Sequence, residues 1–296
     1  MKKIQLFVIL LFSLSVFAQQ QTAFGVGEWF KFRIHYGFVN AGYATLEVKE
    51  ATINSEKLFH LMKSTGRVYD KPEHRQTFEG ILYRLRTGIP WRDLPKEFGH
   101  WSTVFRRFHL WSKKGVLAHL FKALANLADI EWVFIDGSIV RAHQHSAGAA
   151  TLNNESIGKS RGGNSTKIHL AVDSGGLPIY FELSEGQKHD ITHAPSLIEH
   201  LKQVDTVIAD KGYDSDAFCE LIANKGGKSV IPRRRYKNTP QERVDWCLYR
   251  YRHLVENAFG RIKHYRAIST RYDKLARNYA SMVSLAFMLM WLPMCC

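Results

Sequence analysis

Two short apolar runs, each closed by an aspartate, constrain this chain more than any other feature. Trp132-Val133-Phe134-Ile135 leads into Asp136, and Thr206-Val207-Ile208-Ala209 leads into Asp210. Runs this short and this apolar read as strands buried on both faces, which requires helices above and below them. The neighbouring segments supply those layers. Residues 167–172 and 178–183 read as two strands joined through Asp173-Ser174-Gly175-Gly176, a hairpin signal. Residues 194–201 and 215–224 read as helices, 228–232 as a short strand and 242–265 as one long helix. Strand, strand, strand, helix, strand, helix, strand, helix describes an α/β sandwich around a mixed sheet. The stretch 144–166, rich in Gly, Ser and Asn, reads as a loop. Within it Gly158-Lys159-Ser160 has the tail of a phosphate-binding loop, but the upstream glycine of that motif is Asn153, so the motif fails.

The placement of Asp136 and Asp210 at the carboxyl ends of two strands is where open α/β sheets carry ligand sites. Taken singly, each aspartate is equally well a turn residue or a helix cap. The long helix adds a third carboxylate in a patterned setting. Tyr249, Arg252, Glu256 and Lys263 are spaced by three, four and seven residues. At about 100° per residue these steps return to one face of the helix. A salt-bridged solvent face produces the same spacing, but it rarely accompanies two strand-end aspartates.

The chain carries 41 Lys and Arg against 27 Asp and Glu, a net charge of +14, and the first 65 residues hold only 7 and 4 of these. Most of the excess therefore belongs to the later part, where it favours a polyanionic partner. Before the sheet, residues 74–86, a segment around Val104, Phe105, Phe108 and Trp111 with Ser102 as its cap, and residues 116–128 read as three helices, the first ended by Gly88-Ile89-Pro90. Arg106, Arg107, Lys113 and Lys114 lie off the apolar stripe of the second. That arrangement suits either a helix-turn-helix DNA-binding region or a helical bundle with a solvated basic face. Arg233, Arg234, Arg235 and Lys237 form a further basic run, either a phosphate track or an exposed loop. The four cysteines show no zinc-ligand spacing, and His143, His145, His169, His189 and His193 are scattered over strands and loops, which argues against zinc.

The amino terminus has a different character. Lys2 and Lys3 precede an apolar run from Ile4 to Phe17 and a small residue, Ala18, the pattern of a secretory signal too short for a transmembrane helix. Residues 27–49 then read as strands. With Gly27-Glu28 and Ala41-Gly42, residues 1–65 resemble the start of a family of exported, β-rich bacterial proteins. The strand pattern stops near 63–70, and a fused reading frame is the simplest account. The division expected is 1–20 signal-like, 21–65 strand-rich, 66–128 helical and 129–293 catalytic.

From about residue 63 to 293 the chain resembles insertion-sequence transposases of the IS5 group, within the wider IS4-like acidic-triad transposases. The Tyr-x2-Arg-x3-Glu-x6-Lys signature is complete at Tyr249, Arg252, Glu256 and Lys263. Gly88-Ile89-Pro90-Trp91-Arg92-Asp93-Leu94-Pro95, Ile135-Asp136-Gly137-Ser138, Gly186-Gln187-Lys188-His189-Asp190, Ala209-Asp210-Lys211-Gly212-Tyr213-Asp214 and Thr270-Arg271-Tyr272-Asp273-Lys274 also fit. The resemblance implies a ribonuclease-H-like core behind a helical DNA-binding region, divalent metal (Mg²⁺ or Mn²⁺), and cutting and joining of DNA ends. It further implies a homodimer on DNA, no small-molecule cofactor and a cytoplasmic, DNA-associated location, with which the signal-like start conflicts. In the family a further helical segment precedes the part that begins here near Gly66, so recognition of terminal repeats is expected to suffer. Two metal ions about 4 Å apart activate an oxygen nucleophile and stabilise a leaving oxyanion, and hard cations want carboxylate oxygens. Asp136 is assigned as the bridging ligand, Asp210 and Glu256 as single-ion ligands. Arg252, Lys263 and Tyr249 are expected to grip the DNA backbone, and His189-Asp190 to support the site from behind. The alternative is an inactive DNA-binding remnant of a transposase, fused to a disrupted exported protein.

Overall fold

The computed structural model describes residues 29–36, 39–47, 72–148, 155–201, 203–234 and 244–291. The signal-like run 1–20, the junction at 63–70, and Arg235 and Lys237 lie outside them. The chain forms two compact units, Met1–Lys57 and Leu58–Cys296. In the first, β1 (Trp29–Tyr36) pairs antiparallel with β2 (Val39–Glu47), with one register shift between Ile34 and His35.

The second unit begins with three helices: α1 (Pro72–Thr87), α2 (Trp101–Lys113) and α3 (Val116–Ala125). Gly88 ends α1 at φ +69°, a conformation that favours glycine, and returns its N–H to the Arg84 carbonyl. His100, not Ser102, caps α2: its ring accepts from the Ser102 N–H. The sheet follows with β3 (Trp132–Ala142), β4 (Gly158–Ser160), β5 (Gly163–Val172) and β6 (Pro178–Glu185). Helix α4 (Ala194–Glu199), β7 (Thr206–Ile208), α5 (Asp216–Asn224) and β8 (Lys228–Val230) come next. Then come α6 (Trp246–Tyr249), α7 (His253–Lys263), α8 (Arg266–Ser269), β9 (Thr270–Arg271) and α9 (Ala276–Trp291). Among the described residues no helix is long and apolar enough to cross a membrane.

The five principal strands lie in the order β6-β5-β3-β7-β8, with β4 on β5 and β9 on β3. The β6-β5-β3 pairs are antiparallel and β3-β7-β8 parallel, the mixed ribonuclease-H-like sheet. The hairpin signal between β5 and β6 holds because the Asp173 carboxylate accepts from Gly175 N and Leu177 N while Gly176 takes φ +77°. Period-two alternation divides the core. Phe134, Leu170 and Ile208 face one side and pack with α1, α2, α3, α7 and α9. Val133, Ile135 and Val207 face the other side and pack with α4 and α5.

Four expectations need correction. Asp136 does not end its strand: β3 runs six residues further, because β5 pairs with it antiparallel as far as Arg141 and supplies hydrogen-bond partners all along. The stretch 144–166 is not simply a loop, since β4 and the start of β5 pair within it, and Gly158-Lys159-Ser160 is strand. The helix expected over 242–265 is broken into α6, a 3-10 turn at Arg250–Arg252, and α7. The first three helices also share one core with α9, so they are packed against the catalytic sheet and do not form a separate bundle.

Candidate active site

Strand β3 sends alternate side chains to its two faces. Asp136 and Ser138 fall on the face covered by α7, and Gly137 falls on the opposite face. Helix α7 buries Val255, Ala258, Phe259 and Ile262, a stripe at i, i+3, i+4 and i+7. Packing by that stripe fixes the helix rotation and brings Glu256 and Lys263 to the strand. Lys263 Nζ donates to Ser138 Oγ at 2.6 Å. Arg252 Nη1 lies 3.4 Å from Asp136 Oδ2, and its other terminal nitrogen donates to Glu256 Oε1. One guanidinium thus bridges the strand carboxylate to the helix carboxylate. The Tyr249 ring lies under the same guanidinium at 6.0 Å, so Tyr249, Arg252 and Glu256 meet despite the break in the helix, while Lys263 reaches the same strand at Ser138.

Asp210 follows β7 and caps the next turn, its carboxylate accepting from Gly212 N at 2.7 Å. Arg234 holds that turn from outside: its guanidinium donates to the Lys211 and Gly212 carbonyls, and its N–H to Asp214. Arg233 pairs with Asp216 at 3.4 Å. Both arginines are engaged by the segment after Asp210, which was not apparent from the basic run itself. Arg106 and Arg107 sit on α2, Arg106 exposed with its Nε on the Ser102 carbonyl and Arg107 half-buried, and neither meets Asp136, Asp210 or Glu256.

Burial pushes the Asp136 carboxyl up to about 6. The Gly137 N–H bond and Arg252 oppose this, while Asp210 and Asp190 add to it. Arg252 is partly buried, which pulls its pKa down, but Glu256 and Asp136 more than reverse that. Burial lowers the Lys263 ammonium, with Asp136 acting against it. Among the described residues no three His, Cys, Asp or Glu side chains form a ready-made metal cluster. The donor set still fits hard divalent cations: a poorly solvated carboxylate in the field of other carboxylates, spanned to Glu256 by a side-chain cation.

Behind β3 lies a second polar layer that sequence reasoning reached only through the His189-Asp190 pair. Of the two, Asp190 is the inward one; His189 is exposed. Asp190 Oδ1 lies 3.0 Å from Lys167 Nζ and 3.5 Å from His169 Nδ1. Lys167 also donates to the Lys188 carbonyl at 2.7 Å. His169 is fully buried, bonds Ser184 Oγ through Nε2 and stacks on His193, which reaches Glu182. Burial, then His193 and Lys167, push His169 down to about 3, so it is neutral. His143 and His145 lie elsewhere, tilted against each other, with His143 stacked on Tyr272.

Gly137 makes this layer possible. A Cβ there would penetrate Asp190 Oδ1 and come within 3.0 Å of its Cγ and 3.4 Å of His169 Nδ1. Gly137→Ala is therefore expected to cost about 1–3 kcal/mol through overpacking, read in thermal or urea melts. A wild-type melting curve would show that Asp190 does not hold its position against the strand.

Two family profiles match the chain: "Transposase DDE domain" over residues 128–291 and "Putative transposase of IS4/5 family" over residues 55–121. A Brucella ovis protein named "Putative transposase for insertion sequence element IS6501" is 35% identical over 127 residues, covering 43% of this chain and 98% of that protein. A Neisseria meningitidis serogroup B protein named "Transposase for insertion sequence element IS1106" is 31% identical over 98 residues, 32% of this chain and 34% of that protein. Among solved structures, a piggyBac transposase synaptic complex with hairpin DNA superposes at a TM-score of 0.37 and 11% identity, over 62% of this chain and 48% of that one. That superposition is too loose to bear on the site.

Proposed function

The chain belongs to the DDE transposases, and from that premise we propose that Asp136, Asp210 and Glu256 are the three carboxylates with which it holds divalent metal, cuts insertion-sequence ends and joins them to target DNA. The observation that carries this reading is the Arg252 bridge, a cation spanning Asp136 and Glu256 although 116 residues separate Arg252 from Asp136. Transposases of this family work with divalent metal, and Mg²⁺ or Mn²⁺ suits an all-carboxylate set. When bound, such ions stabilise a leaving oxyanion and lower the pKa of water.

The chain's own residues supply orientation. Gly137 N–H fixes one Asp136 oxygen, and Arg252 faces the other, which would turn to a metal ion as the guanidinium leaves it. Gly212 N–H fixes Asp210 in the same way. Glu256 is half-exposed and reaches the site from the helix side. With the carboxylates neutralised, Arg252 is free to turn to a DNA phosphate, with Lys263 beside it and Tyr249 packed underneath. Phosphate contacts of this kind position DNA without reading its sequence. Two element ends require two such sites, which favours a homodimer on DNA, at work in the cytoplasm.

The test is strand cleavage on DNA carrying the element ends. Cleavage is expected to need Mg²⁺ or Mn²⁺, and Asp210→Asn to lower its rate by about a thousandfold or more while leaving DNA binding in chelator intact. Persistent cleavage in chelator, or by the Asn variant, removes the assignment. A protein that binds DNA yet never cuts would favour the remnant reading.

A further inference from the structure

The hairpin of β4 and the start of β5 projects from the sheet and adds little to its core. Ser160 Oγ closes its turn on the Gly163 carbonyl at 3.2 Å, and Lys159, Arg161, Gly162 and Gly163 are all exposed. From Ser156 to Lys167 the chain holds Lys159, Arg161 and Lys167 and no acidic residue. Lys167 is paired with Asp190, whereas no ion pair takes up Lys159 or Arg161 among the described residues. The tip is free, but the base is held on several sides. Thr166 Oγ1 donates to the Ser156 carbonyl at 2.6 Å, and buried Arg271 donates to both. Gln187 fills the space that a side chain at Gly158 would take, and Ser165 Oγ fills the space at Gly186. Two glycines stand side by side at the tip. Gly163 has φ +95°, which favours glycine. Gly162 has no such φ, and a Cβ there would meet nothing within 4 Å. Neither strain nor crowding within the chain calls for glycine at 162, and a bare backbone at an exposed point suits the close approach of another molecule.

Register places this projection relative to the aspartates. Asp136 pairs with Leu170, and Asn164 lies six residues before Leu170 on the same face of β5. Lys159 pairs with Asn164, so it extends the face that carries Asp136 and Ser138. Lys263 rests on Ser138 in the same direction. Lys263, Lys159 and the tip residue Arg161 thus step away from Asp136 along one line. We propose that the β4–β5 hairpin is a second grip on the duplex being cut: Lys159 and Arg161 take its phosphates, and Gly162 lets the backbone come close. Six residues of strand span about 20 Å, the length of about six base pairs. A braced base presents the two charges with little ordering left to pay on binding. This grip presupposes that Asp136 marks the place of the cut.

Lys159→Gln with Arg161→Gln removes both charges from exposed positions, and Gly162→Leu adds a side chain where the chain itself leaves room. Binding of the full chain to a duplex carrying one element end is measured in chelator across a salt series, and phosphate-ethylation interference on that duplex locates the contacts. The double variant is expected to bind about ten-fold or more weakly at low salt, with its slope of log K against log salt shallower by about 1–2. Interference about six base pairs from the cut should be present with the wild type and lost with the double variant. Gly162→Leu should weaken binding as well, and all variants should melt with the wild type. Wild-type affinity and salt slope in the double variant overturn the proposal. So does interference that is absent from the element end and appears only on target DNA in a joining reaction. A lowered melting temperature would make these residues part of the packing, and that too overturns it. These readings involve no cutting, so their failure leaves the triad standing. Cleavage that persists in Asp210→Asn would instead remove the triad, and with it the place assigned to this grip on the duplex.

Discussion

Asp136→Asn is expected to abolish cleavage and, in chelator, to make the protein more stable than the wild type at neutral pH. The Asp136 carboxyl is raised on folding, to about 6, mainly by burial. The folded chain thus holds this proton more tightly than the unfolded chain does. The sign follows: stability is fully present below the unfolded value near pH 4, falls as pH rises to about 6, and stays reduced above that. A shift of this size corresponds to at most about 3 kcal/mol, or roughly 5–10 °C in melting temperature for a domain of this length. Asparagine removes the charge and keeps an oxygen that can accept from Gly137 N, while the amide nitrogen gives up the bond from Arg252. Wild type and variant should melt alike near pH 4 and diverge by pH 7, and added divalent metal should narrow the gap by stabilising only the wild type. An Asn variant that melts below the wild type at pH 7 in chelator would show that Asp136 is not stored strain. A site that destabilises its own fold until it is loaded is the expected compromise between stability and activity.

Arg271→Met is expected to be the most damaging substitution away from the site. Arg271 is completely buried. Its guanidinium donates to the Asp273 and Lys274 carbonyls, to the Ser156 carbonyl and to Thr166 Oγ1, and it lies 5.1 Å from the Tyr279 ring. These bonds tie β9 and the start of α9 to β5 and the segment before β4. Arg84 reaches the Asp273 carboxylate at 3.3 Å in an equally buried pair, which extends the network to α1. Methionine fills much of the volume but leaves these acceptors dry. Breaking such a network costs about 3–5 kcal/mol, roughly 10 °C or more in melting temperature. Arg271→Lys should fall nearly as far, because one ammonium cannot replace a planar fork that spans four acceptors. A lysine variant melting with the wild type would mean that the charge alone matters.

The lesson for reading such sequences lies in particular elements. The strands leading to Asp136 and Asp210 were legible because their apolarity is continuous, and the signature residues because three-, four- and seven-residue steps repeat a helix face even across the Arg250–Arg252 turn. The end of β3 was not legible. At its far end, exposed Ile139 and Arg141 alternate with buried Val140 and Ala142, and the last partners on β5, Thr166 and Ser165, lie in a stretch whose Gly, Ser and Asn read as loop. Helix α9 escaped notice for the opposite reason. It is buried nearly all round, so its sequence carries no polar face from which to count a period.

By itself, then, the sequence determined the α/β order and the face shared by Tyr249, Arg252, Glu256 and Lys263, and it singled out Asp136, Asp210 and Glu256 as the proposed triad. Each of these is written in local periodicity, which depends only on backbone geometry. Only the tertiary structure decided that Arg252 bridges Asp136 to Glu256, that Lys263 rests on Ser138 and that Asp190 backs Gly137. Those relations join residues far apart in the chain, and they depend on which faces of strand and helix pack together. No single stretch of sequence carries that information, because it is set by the shape of the whole core.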